Sequence, residues 1–309
     1  MQPEFEAVPC DLCGASEAET ILSGHDRLTG LPGRFQFVRC LECGLVRQNP
    51  RPVAILDTYY PDTYPVFAPV DLNRNALGRF DRRFGQRKRA RLVPRQCRMG
   101  RLLDVGCGTG GFLTEMHNIP GWQVMGVEPV ALACRKARSF GLSVVRGKLS
   151  EAAFPSETFD VVTMWHVLEH VCDPTVNLLE AHRILRPNGT LLLAVPVMDS
   201  LLRRWFGPEW VEWDLPRHTF LFSRGTMHAL LRKSDFRLQS IHAPFSEYRV
   251  LQMSLANWAS THVRQANLRR LLSSTVRFLP VRALLVATLG VAIPREATSV
   301  MVFVAQKQN

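Results

Sequence analysis

From residue 101 onward, short apolar runs alternate with amphipathic stretches, which is the pattern of a parallel sheet covered by helices. Seven runs predict strands: RLLDV, QVMGVEP, LSVVRG, FDVVTMW, TLLLAVP, FRLQSIHAP and SVMVFVAQK. Helices are predicted from Phe112 and over VALACRKARSF. Another helix is predicted to begin with Asp173 as N-cap and Pro174 in its first turn, and to end at the RPNG turn. The pattern therefore predicts an α/β fold with a doubly wound, seven-stranded, mostly parallel sheet.

The first 50 residues contain two C-x-x-C-G motifs, CDLCG and CLECG. Cys10, Cys13, Cys40 and Cys43 offer four thiolates, the ligand set of a structural zinc ion, and each glycine lets the chain bend past the sulfurs. A disulfide pair is disfavoured in a reducing compartment, and a redox motif lacks its strand–helix context. Iron in the same cage stays open. We predict a small N-terminal zinc ribbon.

A chain of 309 residues with 46% hydrophobic content can bury one full core and a smaller unit. We predict a ribbon over residues 1–50, a proline- and tyrosine-rich linker over 51–75 and a larger domain over 76–309. Residues 265–295 form an apolar and basic helical insertion before the last strand. This insertion is either a buried helical hairpin or an amphipathic segment that contacts acidic lipid.

The N-terminus lacks the charged and apolar regions of a signal peptide. The apolar run from Ala283 to Pro294 is shorter than the roughly 20 residues that cross a bilayer. We therefore expect a cytoplasmic protein, with peripheral membrane association through residues 265–295 as the alternative.

The net charge of +11 is concentrated in two segments. Residues 79–101 hold ten Arg/Lys and one Asp, residues 255–295 hold six Arg and no acid, and the rest of the chain is acidic. The first segment predicts a solvated helix with Phe80 and Phe84 on its buried side. A contact with phosphate or acidic lipid is the alternative interpretation.

The segment LLDVGCGTGGFL places four glycines directly after a predicted strand. Gly106, Gly108 and Gly111 also match a dinucleotide pattern. Asp104 argues against pyrophosphate, because a carboxylate before the first glycine repels phosphate and attracts an ammonium or a sulfonium. Glu128 ends the second strand, where a carboxylate can accept both ribose hydroxyls. The ligand that matches both acids is S-adenosylmethionine.

The ordered motifs LLDVGCGTGGFL, GVEP, FDVVTMWHVLEHVCDP and RILRPNGTLLLAVP resemble the class I S-adenosylmethionine-dependent methyltransferases, which have a Rossmann-like fold. The resemblance covers about residues 100–245. It implies cofactor contacts from Asp104, Gly106, Cys107, Gly108, Gly110, Glu128, Pro129, Lys148, Leu149 and Trp165. Lys148 departs from the family, because many members carry an acid there. With the four-cysteine unit included, the chain resembles bacterial methyltransferases that act on sugars and polysaccharide precursors.

Candidate catalytic residues follow the fourth strand: His166, Glu169 and His170, with His218 downstream. If the segment is helical, His166 and His170 share a face beside Glu169. Three interpretations are open: Glu169 and His170 fix the loop by hydrogen bonds, His166 or His218 is a general base, or all four residues hold a divalent metal. The metal interpretation follows a resemblance to the E-x-x-E-H plus distant His of ubiquinone-pathway and small-RNA O-methyltransferases. His166 replaces their first glutamate.

The absence of two motifs restricts the chemical class of the methyl acceptor. Neither an Asn-Pro-Pro-Tyr-like segment nor a Pro-Cys pair follows the fourth strand, which disfavours N-methylation of bases and C5 methylation of cytosine. Downstream, aromatic residues suit sugars or quinone-like rings as well as simple packing, and acidic neighbours disfavour a polyanion. These residues are Trp205, Phe206, Trp210 and Trp213, with Glu209, Glu212 and Asp214.

The sequence thus predicts an enzyme that transfers a methyl group to an oxygen, or to a carbon, of a small molecule or saccharide precursor. The alternative is an RNA methyltransferase in which the ribbon and residues 79–101 contact phosphate. A non-catalytic scaffold is disfavoured because Asp104, the glycines and Glu128 are all present.

Overall fold

The computed structural model describes residues 5–53, 59–60, 76–94 and 100–308, except the side chains of 76–80 and 82. Most of the predicted linker, residues 51–75, lies outside the described residues. The strands are β1 Phe5–Glu6, β2 Ala18–Gly24, β3 Phe35–Cys40, β4 Val46–Gln48, β5 Arg51–Pro52, β6 Gly100–Val105, β7 Trp122–Glu128, β8 Val144–Arg146, β9 Phe159–Trp165, β10 Leu185–Pro196, β11 Phe220–Leu221, β12 Phe236–His242 and β13 Val300–Lys307.

Seven of these strands form the large sheet in the order β12-β13-β10-β9-β6-β7-β8. All neighbouring pairs are parallel except the two that involve β13. The predicted fold class is therefore confirmed. The chain winds outward from β6 in one direction and from β9 in the other, so the order reverses between these two strands. Ligands of such sheets bind at the carboxyl ends of the strands beside this reversal.

Side chains alternate along the strands and build a core on each face of the sheet. In β9, Val162 and Met164 contribute to one buried cluster, while Val161 and Trp165 contribute to another on the opposite face. Thr163 is a buried polar residue of the same strand. This alternation leaves both faces apolar, as a sheet covered on two sides requires.

The helices are α1 Ala76–Ala90, α2 Gly111–His117, α3 Ala131–Ser139, α4 Pro174–Ile184, α5 Leu201–Phe206, α6 Arg224–Lys233, α7 Tyr248–His262, α8 Ala266–Arg277 and α9 Leu279–Ala292. Pro174 lies in the first turn of α4, as expected. Asp173, however, makes no capping bond with its side chain, and its carboxylate lies 3.6 Å from the guanidinium of Arg51 instead. Asp173 thus occupies the N-cap position, as predicted, but its carboxylate contacts a cation distant in the sequence and not the first turn of the helix.

The end of α4 also differs from the sequence prediction. No separate turn follows the helix, since β10 begins at Leu185 and absorbs the RPNG segment through a register shift before Thr190. Asn188, not the glycine, takes the positive φ of 61°. Asparagine tolerates this conformation better than most residues do, so the glycine is not needed for it.

The basic helix α1 does not bury Phe84, whose exposed fraction is 45%. Phe84 instead lies beneath the ammonium group of Lys88, 4.8 Å from its ring centroid. Arg83 and Arg87 lie 3.2 and 3.4 Å from the carboxylate of Glu115 on α2. The prediction of a buried Phe84 was wrong, because Ala90 and Leu92, rather than this ring, pack against the core at the end of the helix. The side chain of Phe80 lies outside the described residues.

The N-terminal ribbon is joined to the large domain by a shared sheet. Strand β11, which comes from the second half of the chain, pairs with β4 in the four-stranded sheet β11-β4-β3-β2. The amide of Gln48 donates a 2.7 Å hydrogen bond to the carbonyl of Pro216. Cys10, Cys40 and Leu45 belong to the same buried cluster as one face of the large sheet. A domain boundary at residue 50 stays a prediction.

Residues 265–295 are largely helical, as α8 and α9, and lie before β13. They are not the buried hairpin that one interpretation expected, because Leu271, Leu284 and Val291 are 60, 62 and 89% exposed. Among the described residues, no individual helix has the length and apolar character to cross a bilayer. The pair α8 and α9 meets that test only jointly, across a bend of 68°.

Candidate functional site

The carboxyl ends of β6, β7 and β9 border a cleft of about 2890 Å³. The glycine loop after β6 forms its floor. Gly106, Gly108 and Gly110 have φ values of 64, 54 and 80°, a region that glycine occupies without strain. A Cβ atom on Gly110 would lie 2.4 Å from Leu142, whereas one on Gly108 would meet no atom within 4 Å. Packing against Leu142 therefore explains why a glycine is needed at position 110. Gly108 instead faces open space where a ligand can approach.

Two buried carboxylates stand at the strand tips beside this loop. Asp104 is 2% exposed and accepts a 2.6 Å hydrogen bond from the hydroxyl of Thr163. Burial raises its pKa to about 7, against the lowering effects of Thr163 and of the Arg89 cation and with help from the charge of Glu128. The Asp104 carboxyl is therefore poised to lose its proton to solvent when a cation arrives.

Glu128 connects the second strand tip to the glycine loop. Its carboxylate accepts 2.8 Å hydrogen bonds from the backbone N–H groups of Gly108 and Val130. Burial raises the pKa of Glu128, and these two N–H groups oppose the rise. Each carboxylate oxygen can accept more than one hydrogen bond, so the side chain retains capacity for the hydroxyls of a ligand.

Trp165 and Arg89 form one wall of the cleft. The guanidinium of Arg89 lies 5.2 Å from the ring centroid of Trp165 and 5.5 Å from that of Phe245. Burial lowers the pKa of Arg89 to about 10, with the nearby charge of Asp104 opposing. The indole Nε1 of Trp165 is buried without a hydrogen-bond partner among the described residues. Sequence reasoning missed Arg89 and Phe245, because nothing distinguishes Arg89 from the other basic residues of its helix.

The remaining predicted cofactor residues also line the cleft, in different settings. Cys107 is buried, and its Sγ lies 2.5 Å from where a Cβ on Gly126 would stand, so it packs against β7. Pro129 is half-buried and Leu149 belongs to the core, while Lys148 is exposed at the rim. The backbone N–H of Lys148 donates to Glu151, 2.9 Å away.

His166 follows β9 and does not lie on a helix shared with His170. Its φ is 58°, and the short 3-10 helix after it spans Leu168–His170. The condition for a shared helical face is therefore not met, because the chain turns at His166 before the helix begins. This turn brings Nδ1 of His166 to 3.1 Å from Glu169, with the His166 side chain 33% exposed and that of Glu169 fully buried. A non-glycine residue with positive φ in a cleft is a common feature of functional sites.

Glu169, His170 and His218 form a compact group whose candidate ligand atoms lie within 4.8 Å of one another. His170 Nδ1 lies 3.0 Å from the carbonyl of Arg217 and 2.7 Å from the hydroxyl of Tyr60. His218 Nδ1 lies 2.7 Å from the carbonyl of Glu212. Since a carbonyl only accepts, Nδ1 of His218 carries the proton, and Nδ1 of His170 does so when it donates to Arg217. In that arrangement the Nε2 atom of each ring keeps a lone pair. His166 is not a member of this group.

The electrostatics of the group favour an ionised Glu169 and a neutral His170. Burial and the neighbouring His218 together lower the pKa of His170 to about 4, against the raising effects of the Glu169 and Asp214 charges. Burial alone would raise the pKa of Glu169, but the hydrogen bond from His166 and the three neighbouring histidines lower it. The Oε2 atom of Glu169 is buried and has no hydrogen-bond partner among the described residues. A cation or a hydrogen-bond donor beside this oxygen would satisfy it.

A buried ion-pair network holds the loop that carries His218. The guanidinium of Arg217 lies 2.8 Å from the carboxylate of Asp26 in the ribbon and 2.6 Å from that of Asp214. Burial opposes ionisation of Asp26, but hydrogen bonds from Arg217 and Thr29 lower its pKa to about 2. The ribbon therefore positions one wall of the cleft.

The predicted aromatic cluster is divided by the fold. Trp210 and Trp213 are buried, contact each other at a centroid distance of 5.8 Å and line the cleft. Trp205 is exposed. The cluster therefore contributes both packing and a cleft wall.

The four ribbon cysteines converge on one point. The Sγ atoms of Cys10 and Cys43, and those of Cys13 and Cys40, are 3.5 Å apart. Four sulfurs bound to one zinc lie about 3.8 Å apart, whereas a disulfide joins sulfurs at about 2.0 Å. The four residues thus fit a tetrahedral metal ion and not a disulfide.

Both knuckles have the same local geometry. The N–H of Gly14 donates to the carbonyl of Cys10, and that of Gly44 to the carbonyl of Cys40, at φ values of 79 and 74°. Burial alone would raise the pKa of Cys40, but the N–H groups of Cys43 and Glu42 and the thiol of Cys13 lower it to about 7. At Cys40 these contacts favour the thiolate that a metal requires, whereas burial raises the pKa of Cys10 and of Cys43.

Comparison with known proteins agrees with this geometry. Residues 77–241, more than half of the chain, match the family model described as a methyltransferase domain. The ubiquinone biosynthesis O-methyltransferase of Cereibacter sphaeroides is 34% identical over 146 residues, which cover 43% of this chain and 59% of that protein. The protein of the same name from Xanthomonas oryzae is 32% identical over 156 residues, covering 46 and 64%. The chain thus matches about three fifths of the length of these curated relatives.

A solved structure agrees at the level of the fold. The crystal structure of a SAM-dependent methyltransferase from Archaeoglobus fulgidus superposes with a TM-score of 0.50 at 18% identity, covering 75% of this chain and 100% of that one. The five parallel strands β6 to β10, the two acidic strand tips and the glycine loop lie within the segment that the family model matches. The chain therefore belongs to the methyltransferase domain family, and its large domain has the fold of an S-adenosylmethionine-dependent methyltransferase.

Proposed function

We propose that this protein transfers the methyl group of S-adenosylmethionine to an oxygen of a small molecule or saccharide precursor. The observation that carries the proposal is the pair of buried carboxylates, Asp104 and Glu128, on either side of the open space above Gly108. Relatives named O-methyltransferases of ubiquinone biosynthesis support oxygen as the acceptor atom. Transfer to carbon is the less favoured variant.

The residues of the cleft fit the cofactor. Glu128, already bonded to the loop, would accept the ribose hydroxyls, and Asp104 would face the ammonium group. Arg89, desolvated against Trp165, offers a cation for a carboxylate. Bound there, the cofactor supplies a methyl group on a positively charged sulfur. The protein's task is then to position the acceptor in line and to take its proton.

His166 is the best candidate for the general base. Its Nδ1 contacts the buried Glu169, which leaves Nε2 on the partly exposed side of the ring available to the cleft. His166 would take the proton of the acceptor hydroxyl as the new O–C bond forms and the C–S bond breaks, and Glu169 would stabilise the charged ring. His218 is less suited to this role because it is almost fully buried.

A divalent metal at Glu169, His170 and His218 is a second candidate. The unpartnered Oε2 atom of Glu169 and the two Nε2 lone pairs support it. One carboxylate and two imidazoles suit a first-row divalent ion, and the backbone carbonyls that orient both rings are typical of metal-binding histidines. Such an ion would polarise the acceptor oxygen and lower its pKa.

Chelation distinguishes the two candidates. We expect dialysis against a chelator that leaves the ribbon zinc in place, as verified by elemental analysis, to abolish turnover if the metal assists. Undiminished turnover would eliminate the metal. His166→Gln should then lower kcat by about 10²- to 10⁴-fold with little change in cofactor affinity. The matched control, His228→Gln at an exposed position of α6, should behave as wild type.

The ribbon metal is proposed to be structural zinc. Four protein thiolates fill a tetrahedral shell, so this ion would have no open position for chemistry. Its proposed role is to hold the two knuckles while the ribbon, through Asp26 and Arg217, supports the cleft wall.

An RNA acceptor is the alternative function. The structure disfavours the basic segment as a phosphate grip, because Arg83 and Arg87 are paired with Glu115 and Arg89 lies against Trp165. A transfer assay with methyl-labelled cofactor should label phenolic or saccharide acceptors and leave RNA unlabelled. Labelling of RNA alone, with binding that weakens steeply as salt rises, would replace the small-molecule proposal.

A further inference from the structure

The helices α8 and α9 meet at a bend of 68° and together form the α8–α9 hairpin. Its outer surface is apolar and, within the part of the chain that the structure describes, is not covered by another element. Both helices are fully described, and within them Val276 and Leu289 are the buried residues. The large hydrophobic side chains left exposed are Leu268, Leu271, Phe278, Leu279, Leu284, Val286 and Val291. Exposed apolar surface of this extent marks an interaction site.

The inner side of the hairpin is firmly attached. Val276 and Leu289 pack in the same cluster as Tyr248 of α7, and the Tyr248 hydroxyl donates to the carbonyl of Val276 at 3.0 Å. Arg282 of α9 forms an ion pair with Asp81 of α1. The hairpin is therefore a fixed part of the fold that presents its apolar side outward.

The charge of the hairpin identifies its partner. Residues 248–295 contain seven arginines and neither aspartate nor glutamate. Three of these arginines, Arg269, Arg270 and Arg277, line a groove of about 550 Å³ together with Ser273, Ser274 and Phe278. Guanidinium and hydroxyl donors next to an exposed phenyl ring match a phosphate head group with its adjoining acyl chain.

We propose that the α8–α9 hairpin binds the surface of an anionic lipid bilayer. A second copy of this chain is a poorer partner, because a two-fold interface would set arginine against arginine without any acid from the segment. An acidic membrane supplies the missing negative charge and accepts the apolar side chains. The 68° bend between the helices suits a hairpin lying in the interface.

Membrane binding would also orient the cleft. Arg277, Leu279 and Val286 of the hairpin line the cleft that contains His166. A bound hairpin would thus place the cleft beside the bilayer, where an acceptor with an apolar tail could enter. This consequence rests on the proposed function, whereas the membrane contact itself does not.

Vesicle flotation with the full-length protein tests the contact. We expect the wild type to float with vesicles of phosphatidylcholine and phosphatidylglycerol, and to remain at the bottom with phosphatidylcholine alone or at high salt. Leu271→Glu/Leu284→Glu should abolish flotation, and Arg269→Gln/Arg270→Gln should weaken it. Leu179→Glu, at an exposed apolar position of α4, is the matched control and should float like wild type.

Each variant should keep the wild-type thermal unfolding temperature and affinity for S-adenosylhomocysteine, which separates loss of lipid contact from loss of fold. Failure of the wild type to float with anionic vesicles would overturn the proposal. So would wild-type flotation by Leu271→Glu/Leu284→Glu. A concentration-dependent dimer that this variant disrupts, without any lipid binding by the wild type, would assign the surface to a second copy instead.

Discussion

The raised pKa of Asp104 predicts a pH-dependent affinity for the cofactor product, S-adenosylhomocysteine. Burial raises this pKa from 3.8 to about 7, and the nearby Glu128 adds to the effect while Thr163 and Arg89 oppose it. The ligand's ammonium group favours the ionised carboxylate, so binding below the pKa must also release a proton. Each pH unit below about 7 then costs a factor of about ten in affinity. We expect binding to be about tenfold weaker at pH 6 than at pH 8.

Titration calorimetry in buffers of different ionisation enthalpy measures both the affinity and the proton released. Asp104→Asn should bind more weakly at about pH 8 and lose the slope that is due to Asp104. Asp235→Asn, away from the cleft, is the control and should keep the wild-type slope. A flat wild-type affinity over this range, or an unchanged slope in Asp104→Asn, would refute the reasoning.

The raised pKa of Asp104 also makes the stability of the ligand-free protein depend on pH. Because the folded-state pKa of Asp104 lies above its unfolded value, its contribution to stability is greatest below about pH 4 and is lost as the pH rises toward 7. Asp104→Asn removes the ionisable group, and with it this loss of stability at higher pH. Urea unfolding should therefore show the variant gaining on the wild type from about pH 4 to pH 8, and a constant difference would contradict this account.

Four further substitutions test the two sites and the loop that supports the cleft. Gly108→Ala should cost only about 1–2 kcal/mol of stability, since its φ is positive but the space is open, and should markedly weaken S-adenosylhomocysteine binding. Gly110→Ala, with its Cβ 2.4 Å from Leu142, should lose more stability, and equal thermal unfolding of the two variants would contradict the assignment. Cys43→Ser should lower the bound zinc measured by elemental analysis, and unchanged zinc would exclude Cys43 as a ligand. Arg217→Ala should cost about 3–5 kcal/mol in urea unfolding because two buried carboxylates lose their cation, and a loss below about 1 kcal/mol would refute that role.

The strands and their acidic tips could be predicted because they depend on local pattern. Apolar runs of strand length identify the sheet, and parallel strands end at the same edge, so Asp104 and Glu128 had to be neighbours. The cysteine pairs were equally local, since each knuckle needs only five residues. The structure brings all of these predicted residues to two sites.

Other contacts could not be predicted because they join residues far apart in the chain. Arg89 meets Phe245 and Trp165, and Asp26 meets Arg217, through the fold and not through any spacing in the sequence. The histidines after β9 could be recognised in the sequence, but which side chains they contact could not be predicted. A single backbone torsion at His166 directs its ring to Glu169 and leaves His170 to group with His218.

The amino-acid sequence by itself determined the α/β class, the glycine loop, the two acidic strand tips and the four-cysteine ribbon. Each of these features depends on residues within one strand, loop or helix, or on residues at the carboxyl ends of successive parallel strands. Tertiary structure alone decided which histidine contacts which carboxylate, which arginine enters the cleft and which side of the α8–α9 hairpin is exposed. Those outcomes depend on the packing of distant segments, where burial and unlike charges select one partner among many that the sequence allows.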